Sequence, residues 1–473
     1  MKRLVVLAVL AGLLPAFGTF AQEGGDGPAP TVLTLDQAIR IALSENIAVR
    51  VADKDIERAE YARKGTYASL FPQVDGSSSY SRTIKKQVMY MDFDMSSFGG
   101  GGADSGDEGV ETKASGGGRS SNGGGIEVGR WNTYSAGIQA SMPLVNAQLW
   151  KSIKISGQDV ELAVEKARSS RLETVTQVKQ AFYGVLLAKE AFNVYKEVYE
   201  NALDNFTQTE KKYNADKASE LEYQRAKSTV QNAIPNVYDA ENAVVLGLWQ
   251  LKAVMGVDLD EDIDVAGSLM DYSQTMLRDI VENDDVSLER NSTMRQLAIQ
   301  AEELANTVKM QKYSSLPSLA LSFSYSLNAM ANDYKFSTYN WSPYSAAGLS
   351  LSIPIFAGGR RTNAIRQTQN QRDQLLLQTE NTERQLKVAI RQYLNQMETA
   401  MKNFSAAESG VETARKAYDI ATKSYNLGRS TITELNDAQL ALTQALLAQS
   451  QSVYNFVVAK ANLEQTLGKD IES

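Results

Sequence analysis

The sequence predicts a mixed α and β membrane protein with an internal tandem repeat, its strands short and its helices very long. Three observations predict it. First, the nine prolines leave two proline-free stretches, 144–234 and 355–473, both rich in Ala, Leu, Gln, Glu, Lys and Arg, the strong helix formers. Second, four segments alternate large apolar with small or polar residues, the period-2 signature of a strand with two unlike faces. Third, sequence signals recur in the same order in both halves of the chain, as a duplicated unit requires.

The elements follow in order. Residues 1–21 read as an export leader. Lys2 and Arg3 precede an apolar run from Leu4 to Leu14, too short to span a bilayer as a helix. Thr19-Phe20-Ala21 supplies a small-residue cleavage site, and no cysteine follows to carry a lipid. A linker is expected over 22–33, then the first repeat over 34–256, an inter-repeat segment over 257–285 and the second repeat over 286–473. Ala42-Leu43-Ser44-Glu45-Asn46 matches Ser287-Leu288-Glu289-Arg290-Asn291, and Ser69-Leu70-Phe71-Pro72 matches Ser314-Ser315-Leu316-Pro317. Further matches join Trp131-Asn132-Thr133-Tyr134-Ser135 to Trp341-Ser342-Pro343-Tyr344-Ser345, Met142-Pro143-Leu144 to Ile353-Pro354-Ile355, and Tyr213-Asn214 to Tyr425-Asn426. The offset shortens after the first pair of strands because the first copy carries an insertion. Residues 99–129 hold 13 of the 32 glycines and read as a flexible, low-complexity loop. Their spacing fits no phosphate cradle.

Each copy therefore reads helix, strand, loop, strand, long helix, reversal, returning helix. Pro72, Pro143, Pro317 and Pro354 mark the helix–strand junctions, since proline fits neither a helix interior nor a ladder interior. Pro235 falls inside the first returning helix and is expected to kink it. A helix from about 145 to 212 is roughly 100 Å long at ~1.5 Å per residue, so such helices must pack along one another as a coiled coil or helical barrel. The strands run about 9–11 residues, the length of a tilted membrane strand. In one, Leu319, Leu321, Phe323, Tyr325 and Leu327 share a face. Trp131, Tyr134, Trp341 and Tyr344 stand at matching strand ends, where an aromatic girdle meets the membrane–water interface. Four strands cannot close a barrel, and open edges are forbidden in lipid. Strands of this kind in a membrane imply an oligomer that pools them.

Composition excludes other classes. The chain has no cysteine and no histidine and a net charge of −8. That removes thiolate chemistry, the commonest general base and the commonest metal ligand, so neither an enzyme, a metal site nor a cofactor is expected. An acidic exported chain is a poor binder of nucleic acid. The acids at 107–111 and 258–264 fit no calcium-loop spacing. A structural alternative, an exported coiled-coil envelope protein without a channel, accounts for the helices but not for the paired alternating strands.

In Leu35-Asp36-Gln37-Ala38-Ile39-Arg40-Ile41-Ala42-Leu43, in Leu316-Pro317, in Ile353-Pro354-Ile355-Phe356-Ala357-Gly358-Gly359-Arg360 and in the reversal from Tyr425 to Ala438, the chain resembles the TolC family of outer-membrane efflux ducts. The likeness covers nearly all of 34–473. It implies a homotrimer whose twelve strands form one barrel in the outer membrane of a Gram-negative bacterium, among outer-membrane lipid. It also implies helices that form a periplasmic tunnel, a periplasmic adaptor (membrane fusion) protein and an inner-membrane pump as partners, and a passive exit duct for efflux or type I secretion. The family's entrance lies at the helix reversals. There Ser430 or Thr431 is a good N-cap, and a capping box accounts for Glu434 without any function. Capping does not account for Asp437, one turn further on the same face. The resemblance places both at the family's acidic pore constriction, where rings of carboxylate favour cations. It assigns Tyr213, Glu222, Tyr425, Gly428 and Arg429 to the gate latch and adaptor-docking reversals. The sequence departs from the family pattern in having Arg429 and Ser430 where an arginine commonly stands second after the glycine. It also has Asp216 where the second reversal has Gly428, so the first turn is expected to differ in geometry.

Overall fold

A computed structural model describes residues 31–89, 126–276 and 287–469; the leader, at 1–21, lies outside them. The chain forms two compact units, and each draws on both halves of the sequence. One comprises residues 51–169 and 288–387, the other the residues before 51, 170–287 and from 388 onward.

The first unit contains a four-stranded antiparallel sheet. Its strands are β2 (Gln73–Arg82), β5 (Asn132–Val145), β7 (Ser318–Ala331) and β8 (Ser342–Ser352), paired in the order β2-β5-β7-β8. Two further short strands, β3 (Gln87–Met89) and β4 (Ile126–Val128), form a separate ladder beyond β2 and β5. β4 takes residues 126–128 of the glycine-rich loop expected over 99–129; residues 99–125 lie outside the described ones.

The register gives the sheet two chemically distinct faces, because directly opposed residues share a face. Ala140 stands opposite Val74 and Phe323, and Phe323 opposite Ala347. Leu321 and Leu349 are likewise opposed. The other face is small and polar: Ser79 pairs with Ser135, Ser141 with Ser322, and Ala320 with Ser350. A hydrogen bond of 2.7 Å joins the Ser79 and Ser135 hydroxyls across it. The apolar face is bare in the single chain, with Leu349 67% and Phe323 46% exposed. β5 and β7 approach closely at Gly137, where a Cβ would lie 2.8 Å from the Tyr325 carbonyl oxygen.

Pro72 and Pro317 stand just before β2 and β7, and Pro354 just after β8, as expected at junctions. Pro143 differs: it lies inside β5, opposite Ala320, next to a register shift before Val145. A bulge leaves a ladder position unpaired, which is where a residue without an N–H is tolerated.

Four helices flank the sheet in sequence. α2 (Ile47–Ala68) leads into β2, α3 (Ala147–Asn214) leaves β5, α5 (Ser292–Tyr313) leads into β7, and α6 (Arg360–Asn426) follows β8. The second unit adds α1 (Leu35–Glu45), α4 (Glu220–Met255) and α7 (Ile432–Leu467). α3 and α6 have 68 and 67 residues, and α4 and α7 have 36 each. α4 runs through Pro235 as one hydrogen-bonded element. Both returning helices end on a left-handed glycine, Gly256 at φ 77° and Gly468 at φ 65°. At Gly256 the space is also closed, since a Cβ would meet the Glu45 carbonyl oxygen at 2.7 Å. The matched Asn46 and Asn291 play one role: each side-chain oxygen accepts from the first-turn amides of the helix that follows it.

The core of this second unit lies where α3 meets α4 and α7. Phe182, Leu186, Leu251, Met255, Phe456 and Leu463 are fully buried. Lys179 donates to Glu464 at 2.6 Å and Gln180 to Asn462 at 2.8 Å. The expected linker 22–33 ends differently from expectation, because Thr31–Leu33 forms β1, parallel to β6 (Ile263–Val265) in the inter-repeat segment. Lys189 fastens β6 to α3 through the Val265 carbonyl at 3.0 Å and the Asp264 carboxylate at 2.5 Å. Three-residue strands are too short for a periodic signal. Among the described residues no helix is long and apolar enough to cross a membrane.

Candidate functional site: the paired helix reversals

Two reversals, between α3 and α4 and between α6 and α7, carry the residues that the sequence singles out. Each begins with the same helix stop. At the second, Gly428 takes φ 71°, its N–H donates to the Tyr425 carbonyl, and Arg429 N–H reaches back to Ser424 at 2.8 Å. At the first, Asp216 takes φ 55°, its N–H donates to Tyr213, and Lys217 N–H reaches Lys212 at 2.8 Å. Both are Schellman closures. The expected difference in turn geometry is not found. Aspartate is one of the few residues whose short side chain tolerates the left-handed region, so it substitutes here for glycine.

Each reversal then restarts with a capping box. Thr431 caps α7: its hydroxyl accepts the Glu434 N–H at 3.3 Å, and the Glu434 carboxylate accepts the Thr431 N–H at 3.0 Å. Ser219 caps α4 in the same way with Glu222, at 3.2 and 2.9 Å. Both glutamates are thereby turned toward their own helix ends. Asp437 is exposed one turn on, and among the described residues its carboxylate has no hydrogen bond or ion pair.

Beneath the tips lies a small core of Ala226, Tyr425, Ile432 and Leu435, packed by Phe206, Tyr418 and Ala421. Tyr425 is 5% exposed. Its hydroxyl meets the Thr209 hydroxyl at 2.6 Å, while Thr209 donates to the Asn205 carbonyl at 2.8 Å. A threonine has one proton to give, so Tyr425 is the donor. Lys212 sits over the Tyr425 ring, 4.7 Å from its centre, a cation–π contact. Tyr213 differs from its counterpart: it lies at the surface, stacked on Tyr223 at 5.0 Å. Burial holds the Tyr418 phenol above its ordinary value. The returning helices are joined laterally by Arg225 to Thr433 at 3.2 Å and Asn436 to Thr229 at 3.1 Å. Arg429 is exposed at the tip.

The candidate girdle residues fall in different places. Tyr134 lies on the apolar face, stacked on Tyr80 at 4.9 Å, with Phe336 at 5.1 Å and Tyr339 at 5.5 Å. Trp131 precedes β5, with Lys86 4.8 Å from its ring centre. Trp341 precedes β8 and is exposed. Tyr344 is opposed to Ser326 and so stands on the serine face, away from Tyr134. Sequence matching aligned Tyr344 with Tyr134, but the face of each is set by ladder register, which matching does not supply. Phe336 and Tyr339 were not singled out; they sit in the β7–β8 loop, where no periodic pattern marks them.

Among the described residues no cluster of acids could hold a metal ion. The arrangement offers carboxylates at a helical tip and, in the first unit, a sheet with one apolar face.

Comparison with known proteins agrees with this geometry. The family model described as outer membrane efflux protein matches residues 38–257 and 285–469. The chain is 20% identical to outer membrane protein TolC of Escherichia coli (strain K12) over 348 residues, 71% of this chain and 70% of that protein. It is 22% identical to alkaline protease secretion protein AprF of Pseudomonas aeruginosa over 338 residues, 70% of this chain and 69% of that one. The fold matches the crystal structure of the Campylobacter jejuni CmeC outer membrane channel with a TM-score of 0.67 at 16% identity, over 97% of this chain and 94% of that one.

Proposed function

Because the chain belongs to the outer membrane efflux protein family, we propose a specific way in which it opens and selects. It is an outer-membrane exit duct of an efflux or type I secretion system, with a periplasmic tunnel. The scaffold alternative is set aside by that membership. No catalytic step, metal or cofactor enters the proposal.

The observation that carries the reading is the open sheet. Among the described residues β2 and β8 each have one unpaired edge, and the apolar face is exposed. In hydrocarbon every backbone group must be paired and every polar edge closed. Three copies, each giving four strands, close a twelve-stranded barrel with the apolar face toward lipid and the serine face toward the lumen. The near-equal lengths of α3 and α6, and of α4 and α7, support reading 34–256 and 286–473 as one unit used twice around the tunnel wall. A periplasmic adaptor docks at the reversals and an inner-membrane pump supplies the energy. Docking displaces Tyr213, Glu222, Tyr425, Gly428 and Arg429 from their resting contacts and parts the helices at the mouth. Asp437, with Glu434 beside it, forms the constriction, and threefold repetition makes rings of carboxylate that favour cations.

Single-channel recording in planar bilayers tests the mouth. The native trimer is expected to prefer cations and to be blocked by divalent cations. Glu434→Ala combined with Asp437→Ala is expected to abolish both properties while the barrel still inserts. Unchanged selectivity and block in that variant would refute the carboxylate rings.

A further inference from the structure

The charge distribution at the helix–strand junctions has a use of its own. The last turns of α2 (61–68), the first of α3 (147–158), the last of α5 (304–313) and the first of α6 (360–372) contain ten Lys and Arg and no Asp or Glu. The chain as a whole has an excess of acid, 56 against 48, and acids resume one residue beyond each of these stretches, at Glu60, Asp159, Glu303 and Asp373, so the excess of base is confined to the junctions.

The fold gathers these ends. Arg63 of α2 lies beside Gly157 of α3, about one atom's contact from where a Cβ would stand, at 4.0 Å. Gln311 of α5 donates to Thr368 of α6 at 2.8 Å. Burial, and then the neighbouring ammoniums of Lys154 and Lys309, hold the Lys151 ammonium below its ordinary value. Lys154 pairs with Glu302 at 3.6 Å, with both side chains more than half exposed, and such a pair is weak. Lys309, Lys312, Arg360 and Arg366 have no carboxylate within ion-pair distance among the described residues, and Lys151 has only the more distant, opposing field of Glu302. At ~1.5 Å rise per residue, these cations lie within roughly 10 Å of the helix ends that meet the sheet, about one Debye length at physiological salt.

Between the cations and the strands stand exposed aromatics: Phe71 at 64%, Trp150 at 54% and Phe356 at 87% exposure. Amphipathic rings at this level, with cations just beyond them, are the composition of a protein belt at a membrane surface. Like charges brought together need a counter-anion, and the one surface that reaches all four junctions together is the bilayer leaflet facing the helices.

We propose that the four junctions form a cationic collar that binds the anionic phospholipid headgroups of that leaflet, the exposed aromatics seating it at the interface. This rests on the outer-membrane reading of the sheet. A nearby Lys or Arg strengthens attraction to anionic lipid about fivefold, so even partly screened cations give a measurable selectivity.

The test uses the full-length protein reconstituted in vesicles, with tryptophan quenching by brominated phosphatidylglycerol measured against brominated phosphatidylcholine. The native protein is expected to favour phosphatidylglycerol by about tenfold, less in high salt. Lys151→Gln with Lys154→Gln, Lys309→Gln and Lys312→Gln is expected to lose most of that preference, and the four Lys→Arg replacements to keep it. Equal quenching of the native protein by the two lipids overturns the collar while leaving the barrel intact, as does native selectivity in the Gln variant. Should that variant fail to insert, the native and Arg proteins still decide by their lipid and salt dependence. No quenching by either lipid overturns the membrane reading and the collar with it.

Discussion

At the reversals, two carboxylates one helical turn apart have different local tasks. Glu434 is held by its own cap, whereas Asp437 has no local partner. Removing a capping interaction costs ~1 kcal/mol, and removing an exposed, unpartnered aspartate costs almost nothing. Glu434→Ala is therefore expected to lower the midpoint of thermal unfolding, followed by loss of helical circular dichroism, while Asp437→Ala leaves it unchanged. Equal losses would mean that Asp437 has a structural partner. The caps were legible in the sequence, because Ser or Thr followed three residues later by Glu is a local signal. The role of Asp216 was not, because only φ, and not residue type, says that it does the work of Gly428. The burial of Tyr425 and the exposure of Tyr213 were equally hidden. Both end a similar helix, and what separates them is packing: Tyr425 enters the small core that the two tips share, whereas Tyr213 stacks on Tyr223 at the surface.

Each strand of the sheet offers two faces, and neighbouring positions therefore predict opposite outcomes. Leu349 and Ser350 are adjacent in β8 but face away from each other. Leu349→Arg is expected to cost about 2–4 kcal/mol near the bilayer midplane and to reduce the heat-modifiable, inserted form on semi-denaturing gels. Ser350→Arg is expected to insert normally and to shift ion selectivity toward anions. The reverse pattern would exchange the lumen and lipid faces assigned here. β5, β7 and β8 were legible because period 2 over nine or more residues is hard to produce otherwise; β2 was more faintly legible, with only Val74 and Tyr80 to mark its apolar face. β1, β3, β4 and β6 were not, for each is a three-residue piece whose pairing partner is distant in sequence. Pro143 was placed one element too late, since a bulge near the strand end lets β5 continue past it.

At the scale of the assembly, the count of three is the claim that one chain cannot display. The cysteine-free sequence makes it testable. Single cysteines scanned along β2 and β8 in the same chain are expected to give, at registers that match, an oxidised ladder ending in a covalent trimer. A ladder that continues past three, or stops at two, would rule out the twelve-stranded ring. That some oligomer was needed could be argued from the sequence, because four strands have two edges and lipid tolerates none. The number depends on strand tilt and stagger, which are properties of the closed ring.

The matched helix lengths, 68 with 67 and 36 with 36 residues, impose a rule on how such a chain can change. One residue added to α3 alone turns every side chain beyond it by about 100° about the axis, so its packing stripe no longer meets its neighbours. A tolerated insertion has to restore the stripe, which takes about seven residues at a time, and it has to be made in α3, α4, α6 and α7 together. Reach across the periplasm is thus a stepped quantity, altered only by coordinated edits in both halves of the gene.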